Sequence, residues 1–583
     1  MKTTRPFSFV RPGQMAHRVS AIAVAALACA IGADSAQAFE FDTGNPDLTV
    51  RWDNTPRINL GMRTEKRNDL IGNTAIADEG TYSFDRGDLV TGRLDWFTEL
   101  DISFQKRFGG RISAQAWYDG AYGTYGRSNP NQPLASIPSY VDNKYTDYTR
   151  DLYRGPDGEF LDAFVYGRFD LGETPLTVKL GRHSLYWGES LFVNGNLNSI
   201  AYAQNPLDLQ KGFATPGAEA KELFRPLNQL SAQAAVTDEL TLMAQYYFEW
   251  DSFRFPEGGT FLGPVDFAFR GPQRQFVPAL VPLGGFAMNG GNINPDEMGD
   301  FGLGARWSPQ WLDGTLGFYY RNYSDKLPQV LLTRLGPNNT SQYNLVYADN
   351  ISLYGISLAK SIGGVSVGAE LSYRANTPLN AVVLGNAAAA GVLPGGETAG
   401  PRGNTANGLV NVLGVIPKTA LFDAATWAGE LVWAHLASVK SGANLFMGEG
   451  YGGCAATATA PAKDKWDGCT TDNYFGMSAA FTPTWYQVMS GVDLSMPLTF
   501  AVGLSGNAAT TFGGNQGNGN FSAGLGFDIF QKHRVDLKYI GYFGRINDYG
   551  TSGALQAQNI TQNGFTTLLK DRDFISLTLK TTF

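Results

Sequence analysis

From Arg93 to Lys106 apolar and polar side chains alternate. Leu94, Trp96, Leu100, Ile102 and Phe104 share one parity, with Thr98 as its polar member; Arg93, Asp95, Glu99, Asp101, Ser103 and Gln105 share the other, with Phe97 as its exception. Period two over 14 residues describes a strand far longer than the ~5–6 residues usual in soluble sheets. After a turn at Arg107-Phe108-Gly109-Gly110 the pattern resumes, with Ile112, Ala114, Ala116 and Tyr118 set against Arg111, Ser113, Gln115 and Asp119. Leu230, Ala232, Ala234 and Val236 form another apolar face. Leu240, Leu242, Ala244, Tyr246, Phe248 and Trp250 form one that ends aromatic, as an interfacial girdle does. Less regular versions cover 48–63, 159–170, 176–186, 301–308, 315–323, 350–361, 365–374, 424–436, 441–449, 473–486, 492–506, 520–530, 534–544 and 572–583, for 18 strands in all.

The connections decide the topology. Short ones, such as 107–110, 171–175, 237–239 and 437–440, alternate with long ones, among them 64–90, 187–227, 252–300, 375–423 and 450–472. An even count with short turns at one end and long loops at the other is the signature of a bacterial transmembrane barrel. Lipid leaves no solvent for an open sheet edge, so the strands must close. The expected fold is therefore all-β: a single closed antiparallel transmembrane β-barrel of about 18 strands, with long external loops and short periplasmic turns. Sixteen strands also fit within the uncertainty of boundaries. No apolar run in 39–583 approaches the ~20 residues that a membrane helix needs.

The first residues set the compartment. Lys2, Arg5, Arg11 and Arg18 precede an apolar run from Val19 to Ile31, followed by Ala36-Gln37-Ala38. This is a secretory signal peptide over 1–38, leaving 39–583 as one outer-membrane barrel. Ala26-Leu27-Ala28-Cys29 is a poor relative of a lipoprotein box, lacking Leu at its first position. With Cys29 removed, Cys454 and Cys469 remain, and a disulfide pinning one exposed loop is the simplest reading.

Composition agrees with a lipid environment. Only 17% of the 583 residues are charged, 13% are aromatic and 70 are glycine. The net charge of −8 argues against nucleic acid and anionic membrane surfaces as partners. The partners expected instead are outer-membrane lipid and lipopolysaccharide, together with the barrel-assembly machinery. That machinery would read the terminal aromatic Phe583 of the last strand as its assembly signal.

At 16–18 strands a lumen is wide enough to pass solutes unless loops enter it. Its polar parity carries Arg57, Arg63, Arg93, Arg111, Lys179, Arg306, Arg321 and Arg374 beside Asp95, Glu99, Asp101, Asp119, Glu249, Glu370 and Glu430, a lining that favours neither sign of ion. The loops say more. Loop 375–423 contains Ala381-Val382-Val383-Leu384, Ala387 to Ala390, Val392-Leu393 and Leu409-Val410; loop 252–300 contains Phe261-Leu262, Phe267-Ala268-Phe269 and Phe276-Val277. Apolar loops must be buried in the lumen or its mouth, or cap one another. Burial in the lumen makes a surface suited to a hydrophobic small molecule. Along that pathway the candidate contacts are Arg182, Trp187 and Glu189, where Arg182 and Glu189 are placed to pair, and Arg93, Glu99 and Arg111 on the wall. His183 and Ser184 point to opposite faces of a strand and cannot form a nucleophile–base pair. Asp296, Glu297 and Asp300 are spaced loosely for calcium. No catalytic residue, metal ligand or cofactor is assigned.

Several stretches carry a resemblance: Phe39-Glu40-Phe41-Asp42-Thr43-Gly44-Asn45-Pro46 with Val50-Arg51-Trp52-Asp53-Asn54-Thr55, Gly181-Arg182 through Trp187-Gly188-Glu189-Ser190, Asn205-Pro206-Leu207-Asp208, Pro216-Gly217-Ala218-Glu219, Gly491-Val492-Asp493-Leu494, Arg534-Val535-Asp536-Leu537-Lys538-Tyr539 and Asp571-Arg572-Asp573-Phe574. In this order they resemble the domain-of-unknown-function 1302 family of proteobacterial outer-membrane proteins, over the whole mature chain. The resemblance implies work beside an RND-type transporter and a companion exported protein, moving lipid, fatty acid or steroid-like molecules. The expected function is thus an outer-membrane channel for hydrophobic or amphipathic small molecules. A general or sugar-selective diffusion porin, and a non-conducting, partner-binding barrel of a transport complex, are the alternatives.

Overall fold

The computed structural model describes residues 39–131, 133–387, 400–458, 461–552 and 557–583. The signal expected over 1–38 lies outside them, as does most of the apolar run 387–393. Twenty sheet segments make the wall. Phe39–Phe41 lies beside the first long strand, and one strand is broken in two, so 18 strands form the ring.

These are β1 Leu48–Arg63, β2 Leu89–Phe104, β3 Phe108–Asp119, β4 Asp157–Leu171, β5 Thr174–His183 and β6 Leu227–Ala235. They continue as β7 Leu240–Tyr247, β8 Phe301–Trp307, β9 Gly314–Tyr323, β10 Ile351–Ile362, β11 Val365–Pro378 and β12 Arg402–Ile416. The last are β13 Ala424–Ser441, β14 Asn473–Met489, the broken β15 (Val492–Ser495 and Leu498–Ser505), β16 Gly519–Ile529, β17 His533–Phe543 and β18 Phe574–Thr581. Each pairs antiparallel with its sequence neighbours, and β18 returns to β1 through Arg57↔Lys580 to Arg63↔Phe574. Every strand has a partner on both sides, as hydrocarbon requires.

The two parities behave as their chemistry demands. Phe160, Val165, Leu431 and Ile112 face outward with 66%, 62%, 55% and 53% of their surface exposed. Arg57, Arg93, Asp95 and Glu99 face inward and are buried. Apolar on lipid and polar on the lumen is the barrel's version of alternation.

Over 375–449 the structure departs from the sequence reading. Arg402–Ile416, inside the expected loop 375–423, is strand β12, with Leu409 inward and Val410 outward. The short turn is 417–423, not 437–440, and β13 runs through the expected turn as one strand of 18 residues. Residues 442–449, expected as strand, belong to an outer connection. The start of β12, Arg402-Gly403-Asn404-Thr405-Ala406-Asn407-Gly408, is rich in weak strand formers. Ladder pairing to β11 and β13 overrides that propensity. Missing one strand and inventing another left the count unchanged but reversed the direction of β13.

The outer connections fold back into the ring. The largest apolar core, with Leu197, Tyr202, Leu209, Phe255, Phe267 and Phe269 among its members, contains, among the described residues, no buried residue from the wall strands. Phe286–Ile293, Ser341–Val346 and Gln329–Arg334 are the longer strands of a five-stranded sheet built from three connections, and their Ala287, Leu332, Tyr343 and Leu345 belong to this core.

Candidate functional site

Connection 184–226 is the main body inside the lumen, and wall charges hold it there. Its two short helices, Leu209–Ala214 and Ala220–Leu223, bring Lys211 and Glu222 against β1 and β2. Arg57 of β1 donates two hydrogen bonds to Glu222, at 2.8 and 2.7 Å. Lys211 pairs with Glu222 at 2.7 Å and with Asp95 of β2 at 3.9 Å. Arg93 closes the set on Asp95 at 2.9 Å. Burial pushes the Glu222 carboxyl up, but the Arg57 hydrogen bonds and Lys211 outweigh it and hold it down to about 2. Next to this set Lys580 reaches Glu219 at 2.6 Å and Lys538 donates to the Pro216 carbonyl at 2.9 Å.

Across the lumen the wall grips the same connection by its main chain. Glu370 of β11 accepts from the Ile200 amide at 2.7 Å and the Glu189 amide at 3.2 Å. Glu430 of β13 accepts from the Leu191 and Phe192 amides at 2.7 and 3.3 Å. Arg374 donates to the Ser199 carbonyl at 3.1 Å, and Arg321 donates to that of Ala203 at 2.5 Å. The inward charges of these two groups therefore hold protein rather than line open water.

The predicted pathway residues fall into four places. Arg93 belongs to the Glu222 set and lies 5.1 Å from the Trp117 ring. Arg111 pairs with Glu99 at 3.2 Å and Asp101 at 2.7 Å, on the lumen wall below it. Arg182 does not meet Glu189: it shares the outward parity of Leu180 and pairs at the rim with Glu249, 3.8 Å away. Glu249, expected in the lumen, sits with it because it also accepts from the outward Asn228 at 2.8 Å. Trp187 is buried against the inner wall, stacked on Tyr319 at 5.8 Å, and Glu189 accepts from Ser357 at 3.2 Å. His183 has Ser231, not Ser184, at 2.8 Å from Nε2. Asp300 meets Ser324 and Lys326 rather than other acids. No group of three or more His, Cys, Asp or Glu among the described residues is arranged to hold a metal. Cys454 and Cys469 are disulfide-bonded. Phe583 extends the β18–β1 seam by exchanging backbone hydrogen bonds with Asn54 at 2.7 and 3.0 Å.

Sequence reasoning missed Lys211 and Glu222, yet one signal pointed at them. Phe97, the apolar exception on a wet parity, lies 4.7 Å beneath the Lys221 ammonium. Met243, Tyr319 and Leu353 are further inward apolar residues, and they pack on Trp187 and Ile200 of the inserted connection. A greasy side chain on the lumen face marks where a loop will sit.

Between the inserted connection and those above it is a cavity of about 520 Å³. Seven outer connections contribute to its lining. Val193, Leu197 and Phe213 form its floor, Phe255, Phe269 and Phe512 one side, and Val382, Val383 and Met447 another. Phe255 stacks on both Phe269, at 4.8 Å, and Phe512, at 4.4 Å, joining two connections into an aromatic shelf. Asparagines and threonines supply most of the polar lining. The disulfide holds the segment that brings Gly453, Lys463 and Asp467 to the same space.

A family model described as protein of unknown function (DUF1302) matches residues 19–583. The chain belongs to that family. No curated protein matches the sequence. Among solved structures the DUF1302 barrel is similar to Acinetobacter baumannii OccAB4, at 8% identity and TM-score 0.41 over 92% of this chain and 100% of that one. It is also similar to Pseudomonas aeruginosa OpdK with vanillate, at 10% and 0.37 over 92% and 98%. A BenF-like porin from Pseudomonas fluorescens Pf-5 matches at 10% and 0.39 over the same shares. At these values the likeness is loose, and the architecture rests on the strand pairings themselves. The DUF1302 barrel is closed, lipid-facing outside and polar inside: a membrane-spanning barrel of the outer-membrane type.

Proposed function

We propose that this barrel is a gated outer-membrane channel for hydrophobic or amphipathic small molecules, which pause in the 520 Å³ cavity on their way through. The observation that carries the reading is where the apolar side chains of the outer connections go. They line an internal cavity of the size that small-molecule sites usually have, instead of capping one another without a gap. Passage requires connection 184–226 to shift from its wall contacts. Secretion by residues 1–38, recognition of Phe583 by the assembly machinery, and hand-over to or from an RND-type transporter and a companion exported protein complete the proposal.

A general or sugar-selective porin is less well supported, because many of the wall charges that would orient a hydrophilic solute, among them Arg57, Glu370, Glu430, Arg374 and Arg321, are spent on the inserted connection. A sealed scaffold is the remaining alternative. Proteoliposomes loaded with purified barrel separate the three. Accelerated entry of an apolar fluorophore, blocked by Val383→Trp in the cavity, supports the proposal. Swelling in sugars without apolar uptake rejects it in favour of a porin, and no flux of either kind favours the scaffold.

A further inference from the structure

The polar part of the cavity lining is made almost entirely of uncharged groups, and their hydrogen-bonding capacity is unfinished. The Asn194 side-chain oxygen accepts from the Asn520 amide at 3.4 Å, which leaves the Asn194 amide and the Asn520 oxygen free. Asn515 spends its amide on Asn563 at 3.2 Å and keeps its oxygen. Asn380 reaches the cavity with neither side-chain group engaged. Thr510 accepts from Asn198 at 2.6 Å and retains its proton to donate. Free donors and free acceptors therefore face the same space.

The charged members of the lining are Lys463 and Asp467. Lys463 is exposed to solvent, where an ion pair adds little. Asp467 accepts from Thr561 at 2.6 Å, Tyr549 at 2.8 Å and Asn547 at 3.1 Å. A carboxylate entering head-first could accept from the same donors as a carbonyl, but it would lose the water that solvates its charge and meet no buried cation among the described residues of the lining to offset that loss. A hydroxyl both donates and accepts, and a carbonyl accepts from Asn194, Asn380 or Thr510.

We propose that the site selects uncharged amphiphiles, an apolar body carrying a hydroxyl or carbonyl group, over anionic amphiphiles of the same shape. This rests on the hydrophobe-channel reading and narrows it. The test uses two fluorescent probes that differ in one group, pyrene-1-methanol and pyrene-1-carboxylate. Binding to the purified barrel in detergent at neutral pH is followed by fluorescence polarisation, with empty detergent as the blank. The expected result is a Kd for the alcohol at least about tenfold below that for the carboxylate, since a polar mismatch in a desolvated site commonly exceeds that factor. Asn380→Leu should weaken the alcohol and leave the carboxylate unchanged, and Val383→Trp should abolish alcohol binding. Equal or tighter carboxylate binding overturns the inference while leaving the channel reading intact. If neither probe binds, the channel reading fails and the inference with it. Alcohol binding that survives Val383→Trp places the probe elsewhere and also overturns it.

Discussion

Glu222→Gln should unseat connection 184–226 from the wall. The wild-type set places Arg57, Arg93 and Lys211 around Glu222 and Asp95, and the Arg57, Lys211 and Glu222 side chains are no more than 2% exposed. After the substitution Asp95 alone must serve three cations, and Arg93 already engages it. The new amide can accept one bond, but it aims its own N–H at a cation on the other side. Removing one partner of a buried, hydrogen-bonded charge set costs about 3–5 kcal/mol, and burial this deep leaves no solvent screening to soften it. At 1.4 kcal/mol per tenfold change, the balance between seated and unseated connection moves by about 10²- to 10⁴-fold. Single-channel recording in planar bilayers reads this directly: long closures in the wild type give way to frequent openings in the variant. The thermal midpoint in detergent should fall as well. A variant with wild-type gating and an unchanged midpoint would refute the view that these charges hold the lumen shut.

Four further outcomes follow from the geometry. Burial pushes the Glu257 carboxyl to about 8, with the Gly271 amide as its partner at 2.6 Å. An unfolded or opened segment ionises near 4.3, so wild-type stability is full below that pH and declines as pH rises to about 8, by up to ~5 kcal/mol. Glu257→Gln should flatten the decline and be the more stable form at pH 8, whereas parallel melting profiles between pH 5 and 8 would contradict this assignment. Replacing both cysteines by serine releases a link across a sequence separation of 15, worth about 3 kcal/mol, so protease should cut within 442–472 sooner and apolar probes should bind more weakly. Gly355→Leu drives a side chain into Ile200 at about 1–3 kcal/mol and should raise channel opening without altering expression. Phe583→Ala should lower the yield of heat-modifiable, membrane-assembled barrel; an unchanged yield removes its role as an assembly signal.

Most of the wall was legible because lipid and lumen impose opposite demands on neighbouring residues. β2 shows this: Trp96, Ile102 and Phe104 face out, and Arg93, Asp95 and Glu99 face in, as their alternation implied. β12 was not legible, because its glycines and asparagines take their strand conformation from two neighbours and not from their own preferences. The site was legible only in kind. Apolar loops announced a buried surface, and Phe261, Phe267 and Val382 are indeed covered or line the cavity. Which charges would meet was beyond a one-dimensional reading. The Arg57–Glu222 contact spans 165 residues, and Arg182 meets Glu249 because strand parity outranks nearness to Glu189.

The grip of Glu370, Glu430, Arg374 and Arg321 on main-chain amides and carbonyls between Glu189 and Ala203 has an evolutionary corollary. Apart from the side chains of Asn196 and Asn198, which Glu430 and Arg374 also engage, such a hold is indifferent to which side chains the gripped backbone carries. Val193 and Leu197, which floor the cavity, can be exchanged while the anchor points stay as they are. Descendants of one ancestral barrel could thus retune what they carry by altering a few floor residues, with no need to rebuild the gate.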